Sequence, residues 1–493
     1  MNNLYIEEQG KTIVMSSEEK NRVSRREFLK YAGLIAAGLA VGSVVGYEYG
    51  RAIAPKVKPV TVTKTVTKTT TVIKPPTVKP KKTLKILGFS GALGDPHIKV
   101  FDKFSKMKNV KIEYIRIGYD ELAEKAVSLL QAKSSEFDII FQDDGFLPRL
   151  EAKGWLAPLD ELGLTRIPDI FPSCWDLGTW PTPEYMGPVP PGERDKEPHI
   201  YALPHAGGPG EFYGVRKDLL EEKGLSVPKT WDDALEIAKT FYDPKKPFYG
   251  WVCRGTKGDP IAFDSATFLF DYGMSHFFDE DWHPLFNTPE AIEGFEMFLK
   301  MAKYAPPGLP TYGCTEYALE FVHGRVASGM INPGDVVRDL EGPGSASAGK
   351  LVWMVPPAGP KARTGILGMF SMVINNFSKN KDLAFELIEY FISEEGQRVY
   401  ALEGGGWPIR RSLWEKPEIN KNPLFKPLYP ALPEFLSMSP KPYPRTTEWL
   451  TIVDIYGGYL NAALIGKYTA KEALNKAAEE IVTHLKRVGY YKG

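Results

Sequence analysis

Short apolar runs alternate with stretches of helical spacing over the part of the chain that follows residue 82. The runs at 83–91 and 109–117 predict β-strands, and FDIIF at 137–141 predicts a fully buried strand. Between them, 95–107 and 120–133 carry apolar residues at helical spacing. Strand, helix, strand, helix, strand predicts an α/β fold with a parallel sheet and crossover helices.

Polar residues follow two of these predicted strands. Ser90 comes after the first strand, and Gln142, Asp143 and Asp144 come after the third. In a parallel sheet, ligands bind beyond the carboxyl ends of the strands, so we expect these side chains to line a site. Solvation of the loop and capping of the next helix are the alternative roles for Gln142, Asp143 and Asp144.

Three later helices carry clear start signals. Thr230 and Thr469 each precede an acidic residue at the third helical position, and Thr288 is followed by Pro289. The α/β character therefore continues through the rest of the chain.

The N-terminal 82 residues have a different character. In residues 1–30, adjacent Arg25 and Arg26 precede Phe28 and Leu29, which matches a twin-arginine export signal. A plain membrane anchor with flanking arginines is the alternative. Residues 31–50 include an uncharged run of about 17 residues, or roughly 25 Å as a helix, which is near the lower limit for a membrane span.

Residues 51–82 are composed mainly of Thr, Lys, Val and Pro, with TVTK repeated. This composition cannot bury a core, so we expect an extended stalk beyond a membrane tether. Cleavage near Ala54 would instead release the protein with an unstructured tail, although Pro55 follows that position at once.

Charge and cysteine content exclude several functions. The chain has 61 basic and 61 acidic residues, yet residues 1–82 are basic and the remainder is acidic, so nucleic acid is not an expected partner. The three cysteines are Cys174, Cys253 and Cys314, which allow one disulfide and favour no structural zinc site.

Four segments, taken in order, resemble the family 1 extracellular solute-binding proteins, which include the maltodextrin-binding proteins of ABC importers. They are FDIIFQDDGFLPRLEAKGWLAPLDEL at 137–162, YALPHAGGPGEFYGVRKDLL and the helix after it at 201–239, FVHGRVASGMINPGD at 321–335, and the return segment with its GGGWPIR loop at 365–412. The resemblance implies a type II periplasmic-binding-protein-like fold, with two α/β lobes, a ligand cleft between them and a hinge.

The resemblance also implies lobe boundaries, partners and further site residues. We expect lobe 1 at 83–205 and 311–360, and lobe 2 at 206–310 and 361–493. It implies a small solute, most simply a mono- or oligosaccharide, and ABC permease subunits as partners, with no cofactor and no metal. The proline-rich segment 181–198 and the segment 423–444 depart from the family. Cleft-facing positions are expected at Glu211, Tyr213, Asn332, Asp335, Phe370 and Trp407, and less strongly at Trp180 and Trp251.

Two other classes of protein compete with this interpretation. An exported enzyme, such as a glycoside hydrolase acting through Asp143 and Asp144, is disfavoured because neighbouring acids in one loop cannot flank a bond from opposite sides. GSASAGK at 344–350 resembles part of a phosphate loop, but Leu351 stands where Ser or Thr is needed. A structural surface protein is disfavoured because the chain shows no repeated β-module.

Overall fold

The computed structural model describes residues 5–8, 11–14, 82–205, 211–368, 370–431, 434, 435, 438 and 440–491. The predicted export signal, membrane segment and stalk lie outside these described residues. Contacts divide the chain into one unit at 1–77 and a second at 78–493. In the first, strands β1 (Tyr5–Glu8) and β2 (Lys11–Val14) form an antiparallel hairpin.

The larger unit begins with a five-stranded mixed sheet. Its strands are β3 (Thr83–Phe89), β4 (Lys111–Ile117), β5 (Ile139–Asp143), β8 (Leu203–Pro204) and β13 (Phe370–Ile374). Their order is β4-β3-β5-β13-β8, in which β3 pairs in parallel with β4 and β5, and β13 runs antiparallel to β5 and β8. The strand and helix order predicted for residues 83–143 is confirmed.

Helices cover this sheet and complete the first lobe. Helix α1 (His97–Lys108) buries Val100, Phe101 and Phe104, which are apolar residues at the helical spacing from which it was predicted. Short strands β6 (Thr179–Trp180) and β7 (His199–Ile200) form a separate antiparallel pair. The helices of this lobe are α1 (His97–Lys108), α2 (Tyr119–Gln131), α3 (Leu147–Ala152), α4 (Pro172–Leu177), α11 (Lys381–Ile392), α12 (Glu394–Leu402), α13 (Arg411–Trp414) and α14 (Pro417–Asn420).

A three-stranded antiparallel sheet marks the second lobe. Strand β9 (Phe212–Arg216) lies between β10 (Ser328–Ile331) and β11 (Leu351–Met354). The helices around it are α5 (Lys217–Lys223), α6 (Trp231–Phe241), α7 (Asp259–Tyr272), α8 (Pro289–Ala302), α9 (Cys314–Val322), α10 (Pro333–Leu340), α15 (Trp449–Leu464) and α16 (Ala470–Arg487).

The helix starts predicted from sequence are confirmed in this lobe. Thr230 Oγ1 accepts the backbone N–H of Asp233 at 3.2 Å, and the Asp233 carboxylate accepts the N–H of Thr230 at 2.9 Å. Thr469 and Glu472 form the same reciprocal capping box, and Thr288 caps α8 ahead of Pro289. Each cap satisfies backbone donors that the first helical turn leaves without a partner.

Strand pairing corrects the predicted lobe boundaries. Residues 311–360 were assigned to lobe 1, but β10 and β11 from that segment pair with β9 in the second lobe. Strand β13, assigned to lobe 2, pairs with β5 and β8 in the first. The error arises because a strand's apolar pattern shows that one face is buried and does not show which sheet it joins.

The chain crosses between the lobes three times. The first crossing joins β8 to β9. The second contains β12 (Ile366–Leu367) and the third contains β14 (Lys441–Pro442), and these two short strands pair in parallel. Among the described residues, none of the helices combines the length and apolar character that a membrane crossing requires.

The predicted insertion 181–198 contacts the second lobe. Arg194 Nη2 donates to the carbonyl of Glu280 at 2.9 Å, and Trp282 Nε1 donates to the carbonyl of Val189 at 3.4 Å. The segment therefore makes direct hydrogen bonds to the second lobe. The three cysteines are free thiols, of which Cys174 and Cys253 are buried.

Candidate functional site

Three of the predicted site residues meet at the carboxyl edge of the first sheet. Phe370 lies opposite Asp143 in the pairing of β13 with β5, and its ring centroid is 5.3 Å from that of Phe89 at the end of β3. Ser90 follows Phe89, and its backbone N–H donates to the carbonyl of Ile117 at the end of β4. Ser90 is exposed, whereas Asp143 and Phe370 are half-buried. The edge thus offers a hydroxyl, a carboxylate and an aromatic face.

The loop after β5 is held by its own side chains. Asp143 Oδ1 accepts the N–H of Gly145 at 3.1 Å, which caps the short helical turn Asp144–Phe146. Gln142 is 1% exposed, and its Nε2 has no hydrogen-bond partner within the described residues. Asp144 is equally buried and faces the guanidinium of Arg445 at 3.5 Å. Asp143 therefore has the capping role that the sequence offered as an alternative. Its side chain is nevertheless only half-buried and remains accessible.

An aromatic wall from the second lobe and the third crossing faces this loop. It comprises Phe263, Tyr443 and Trp449, with ring centroids 5.4 Å apart for the first pair and 4.5 Å for the second. All three side chains are buried, with 7%, 1% and 1% of their surface exposed, and Trp449 is buried where the lobes meet. A Cβ atom built on Gly145 would lie 2.7 Å from Nε1 of Trp449 and 3.8 Å from Oδ1 of Asp143. Any larger residue at position 145 would collide with the Trp449 indole. The indole N–H donor of Trp449 and the carboxylate of Asp143 therefore lie on either side of Gly145.

Buried charges support the wall from behind. Arg254 donates through Nε and Nη2 to Asp264 Oδ1, at 2.8 Å and 2.5 Å, and its backbone N–H donates to Oδ2 of the same carboxylate. The guanidinium also lies 5.0 Å from the Phe263 ring centroid. Burial raises the pKa of the nearby Asp259 to about 6, although Arg254 acts in the opposite direction. The network fixes the start of α7, where Phe263 stands.

Glu211 and Tyr213 lie inside the second lobe. Thr267 Oγ1 donates to Glu211 Oε2 at 2.5 Å, and Tyr213 donates to Ser328 Oγ at 2.8 Å. Neither side chain has accessible surface. Burial, with the nearby Asp264 carboxylate, raises the pKa of Glu211 well above its usual value. The expectation that both residues face a cleft does not match these positions, because residues two apart on an extended chain share a face and this one points inward.

Both weaker tryptophan candidates are also buried. Trp251 is fully buried against Phe268 and Phe298 of the second-lobe core, at ring-centroid distances of 6.2 Å and 5.6 Å. Trp180 is 2% exposed and donates to Glu193 of the insertion at 3.1 Å. These contacts match the core role that is usual for tryptophan.

Trp407 joins elements of both lobes. Its loop needs glycine because Gly404 and Gly406 have φ values of +81° and +95°. The indole is 4% exposed and stacks on Phe212 at the first crossing, with ring centroids 5.6 Å apart. Its Nε1 has no hydrogen-bond partner in the part of the chain that the structure describes. Trp407 therefore lies at the junction that a hinge motion would change.

The remaining prediction concerned Asn332 and Asp335. Asn332 is 5% exposed, and its backbone N–H donates to the hydroxyl of Tyr317 at 3.3 Å. The side chain of Asp335 lies outside the described part of the chain.

A pair of neutral histidines lies directly beneath the sheet edge. The rings of His97 and His205 are 4.4 Å apart, and both contact Phe141 of β5. Burial lowers the pKa of His97 to about 3, although a hydrogen bond to Gly94 acts in the opposite direction. Burial, with His97 as a second cause, also lowers the pKa of His205. The edge is therefore built on an uncharged platform.

Sequence reasoning missed the residues that face the edge. They are Phe263, Tyr443 and Trp449, together with the buried Arg254 and Arg445 that hold the wall and the loop in place. The run KPYPRTTEW at 441–449 is rich in aromatic and charged residues without helical spacing, and that composition was the available signal. No group of three or more His, Cys, Asp or Glu side chains within the described residues has the geometry of a metal site.

Two α/β lobes joined by crossings, with polar and aromatic side chains where they meet, are the architecture of a two-lobed solute-binding protein. The sequence profile of the bacterial extracellular solute-binding proteins matches residues 93–398. The chain belongs to that family.

Curated relatives agree with this class. A probable amino-acid ABC transporter periplasmic-binding protein from Sinorhizobium fredii is 23% identical, over 83% of this chain and 90% of the relative. An uncharacterized ABC transporter extracellular-binding protein from Pyrococcus horikoshii is 26% identical, over 73% and 80%. The chain is therefore a solute-binding protein of an ABC transporter and is not an enzyme.

Solved structures show the same fold. Maltose-bound T. maritima MalE3 matches with a TM-score of 0.70 and 22% identity, covering 82% of this chain and 100% of the other. An ABC transporter solute-binding protein from Thermotoga lettingae with α-D-tagatose gives 0.69 and 25%, covering 81% and 98%. One from Agrobacterium vitis with D-mannitol gives 0.66 and 25%, covering 83% and 100%. The predicted type II two-lobe architecture is confirmed.

Proposed function

We propose that this chain captures a sugar or a polyol outside the cell and delivers it to the permease of an ABC importer. The proposal rests on one juxtaposition: Asp143 and Phe370 at the edge of the first sheet, opposite the aromatic wall of Phe263, Tyr443 and Trp449. A sugar ring presents hydroxyls around its rim and apolar C–H groups on its faces, so carboxylates and aromatic platforms suit it together. Solved relatives that hold maltose, tagatose and mannitol support the same chemical class.

Closure of the lobes would complete the site. The elements that face each other belong to different lobes, and three crossings join them, one of which carries Tyr443. A ligand that contacts both sides binds the closed form more tightly and shifts the population toward it. The permease would then recognise the closed, loaded form.

The test is a thermal-unfolding panel on the 493-residue chain with maltose, α-D-tagatose, D-mannitol, amino acids and peptides. A ligand at 100 times its dissociation constant adds about 2.7 kcal/mol of stability. We expect a stabilising shift from one sugar or polyol, which is then recovered chemically unchanged. The amino-acid arm matters because the Sinorhizobium fredii relative is named for amino acids. A shift from amino acids alone would overturn the proposed ligand class.

Two variants localise the site. Asp143→Asn and Phe370→Ala change the accessible edge and should remove most of the ligand-induced shift. Asp102→Asn, on an exposed position of α1, makes the same chemical change away from the edge and should keep the full shift. Equal shifts in all three variants would place the site elsewhere.

We also propose that residues 31–50 tether the protein to the outer face of the membrane and that residues 51–82 hold the lobes away from it. The uncharged run and the Thr, Lys and Pro composition support this arrangement. Membranes washed at alkaline pH should retain the chain. A soluble form whose N-terminus begins just after Ala54, identified by mass spectrometry, would show release instead.

A further inference from the structure

Arg445 is buried at the third crossing and bonds to the first lobe. Its side chain is 1% exposed. Nη1 donates to the main-chain carbonyl of Asp144, Nη2 donates to the carbonyl of Leu177 at 2.8 Å, and Nε lies 3.4 Å from Thr182 Oγ1. The guanidinium thus bonds to the backbone of the loop that follows β5, in addition to pairing with the Asp144 side chain.

The residues that follow Arg445 are anchored to the second lobe. Thr446 bonds through its hydroxyl to Tyr490, and the Glu448 carboxylate accepts from His484 Nε2 at 2.7 Å. His484 belongs to α16, which packs on α15. Within one to three residues, the chain therefore passes from a first-lobe anchor to second-lobe anchors. Arg445 stands at the point where movement of one lobe reaches the loop of the other.

Two buried carboxylates of the first lobe surround the guanidinium. Asp144 Oδ2 lies at 3.5 Å and Glu151 Oε2 at 4.0 Å. Both oxygens of Glu151 are buried, with no hydrogen-bond partner among the described residues. Burial raises the pKa of Glu151 to about 8, and Arg445 partly offsets that rise. Charge and hydrogen bonding therefore both tie Arg445 to the segment that starts at the loop.

We propose that Arg445 is a positioning residue for solute capture: it fixes the loop 142–145 and couples that loop to the movement of the second lobe, without touching the solute. The part that concerns capture rests on the function proposed above. The part that concerns the loop is independent of any ligand. Since the loop carries Asp143, and Gly145 meets Trp449, a shift of the Asp144 backbone would move both sides of the site.

Hydrogen exchange of the 493-residue chain without solute tests the loop. In Arg445→Gln, we expect the Gly145 amide, which donates to Asp143, to exchange at least tenfold faster than in the unchanged chain. Arg216→Gln is the matched control, since Arg216 is also buried and pairs at 2.6 Å and 2.7 Å with Asp218 in its own lobe. Unchanged exchange in Arg445→Gln, or equal acceleration in the control, would overturn the proposal.

A double variant separates positioning from simple charge compensation. Arg445→Gln removes the cation that faces the buried Asp144 carboxylate at 3.5 Å, so Arg445→Gln with Asp144→Asn should regain part of the lost stability. The Gly145 amide should still exchange fast, because the bond to the Asp144 carbonyl is still missing. Arg445→Lys keeps the charge and loses the forked donors. Its Gly145 amide should therefore exchange at a rate between those of the unchanged chain and of Arg445→Gln. Full recovery of slow exchange in the double variant would show that Arg445 acts by charge alone.

Calorimetry with maltose, α-D-tagatose and D-mannitol tests the link to capture. For any of these that binds the unchanged chain, Arg445→Gln should raise the dissociation constant at least tenfold, whereas Arg216→Gln should leave it within twofold. Fast loop exchange with unchanged affinity would overturn the role in capture. If none of these three binds the unchanged chain, the proposed ligand class fails, and the exchange measurements still decide the role of Arg445 in the loop.

Discussion

Two buried regions, one in each lobe, keep their ionisable groups neutral in opposite ways. Beneath the edge of the first sheet, His97 and His205 lie among aromatic rings, and burial lowers the pKa of both. In the second lobe, Asp271 accepts hydrogen bonds from Trp231 Nε1 at 2.9 Å and from the backbone N–H of Thr364 at 2.6 Å. Burial nevertheless raises the pKa of Asp271 to about 8.

The difference shows how each of these two regions avoids a buried charge. The histidines stay neutral by remaining unprotonated, and the aspartate stays neutral by remaining protonated. Elsewhere in the second lobe, Arg254 and Asp264 are instead buried as an ion pair with the two groups 2.5 Å apart. Acid should therefore destabilise the first region and stabilise the second, and four substitutions test this contrast.

Arg254→Met should have the largest effect. Removing one member of a buried ion pair leaves the other charge without compensation, which destabilises by about 3–5 kcal/mol. His97→Leu, by contrast, exchanges a neutral ring for an apolar side chain of similar volume, and such swaps usually change stability by less than about 1.5 kcal/mol. Urea unfolding at pH 7 measures the free energy of unfolding of both variants. Equal losses in the two variants would contradict the expected order.

Asp271→Asn should remove a gain in stability on acidification. The raised folded pKa means that the contribution of Asp271 is fully present below about 3.8 and is lost as the pH rises through about 8. Between pH 7 and pH 5, this residue alone should add about 2.7 kcal/mol. Unfolding free energies at the two pH values measure it, with exposed Asp232→Asn as the control. If Asp271→Asn gained as much stability between pH 7 and pH 5 as the unchanged chain, the raised pKa of Asp271 would be refuted.

His97→Leu should remove a loss of stability on acidification. The depressed folded pKa means that the contribution of His97 is present above 6.5 and is lost as the pH falls toward about 3. From pH 7 to pH 5, the loss from this residue is about 2 kcal/mol. The variant should lose that much less than the unchanged chain. Exposed His283→Gln serves as the control and should keep the original pH response.

Lys99→Met should have the smallest effect. Lys99 stands two residues from His97 on α1 and pairs with Glu403 at 2.6 Å, yet its side chain is 64% exposed. Solvent screens such a pair, so its loss changes stability by less than about 1 kcal/mol. A larger loss at 0.15 M salt would show that surface charge, and not burial, dominates this helix.

The sequence predicted well what depends on neighbouring residues. The strands and helices from Thr83 to Asp143 follow from apolar spacing, and the helix caps at Thr230 and Thr469 follow from hydroxyl and carboxylate side chains three residues apart. The location of an accessible edge at Ser90 and Asp143 follows from the rule for parallel sheets.

The sequence did not predict what depends on distant pairing. Strand β13 was assigned to the other lobe because its partner strand lies more than two hundred residues earlier. Residue type alone did not distinguish inward from outward side chains, so Tyr213 and Trp251 were expected in a cleft although the structure buries them. Trp449 was missed because its partner, Gly145, belongs to the other lobe.

Strand β13 is synthesised long after β5, the strand with which it pairs. Ser371 of this strand lies 229 residues after Gln142, its partner in β5. At about 5–20 residues per second, a ribosome needs roughly 10–45 s to synthesise that interval. During that time β5 has an open side, which is a template for pairing with other chains. Nascent chains that stop before β13 should therefore be the form most prone to aggregation and the form that most needs a chaperone.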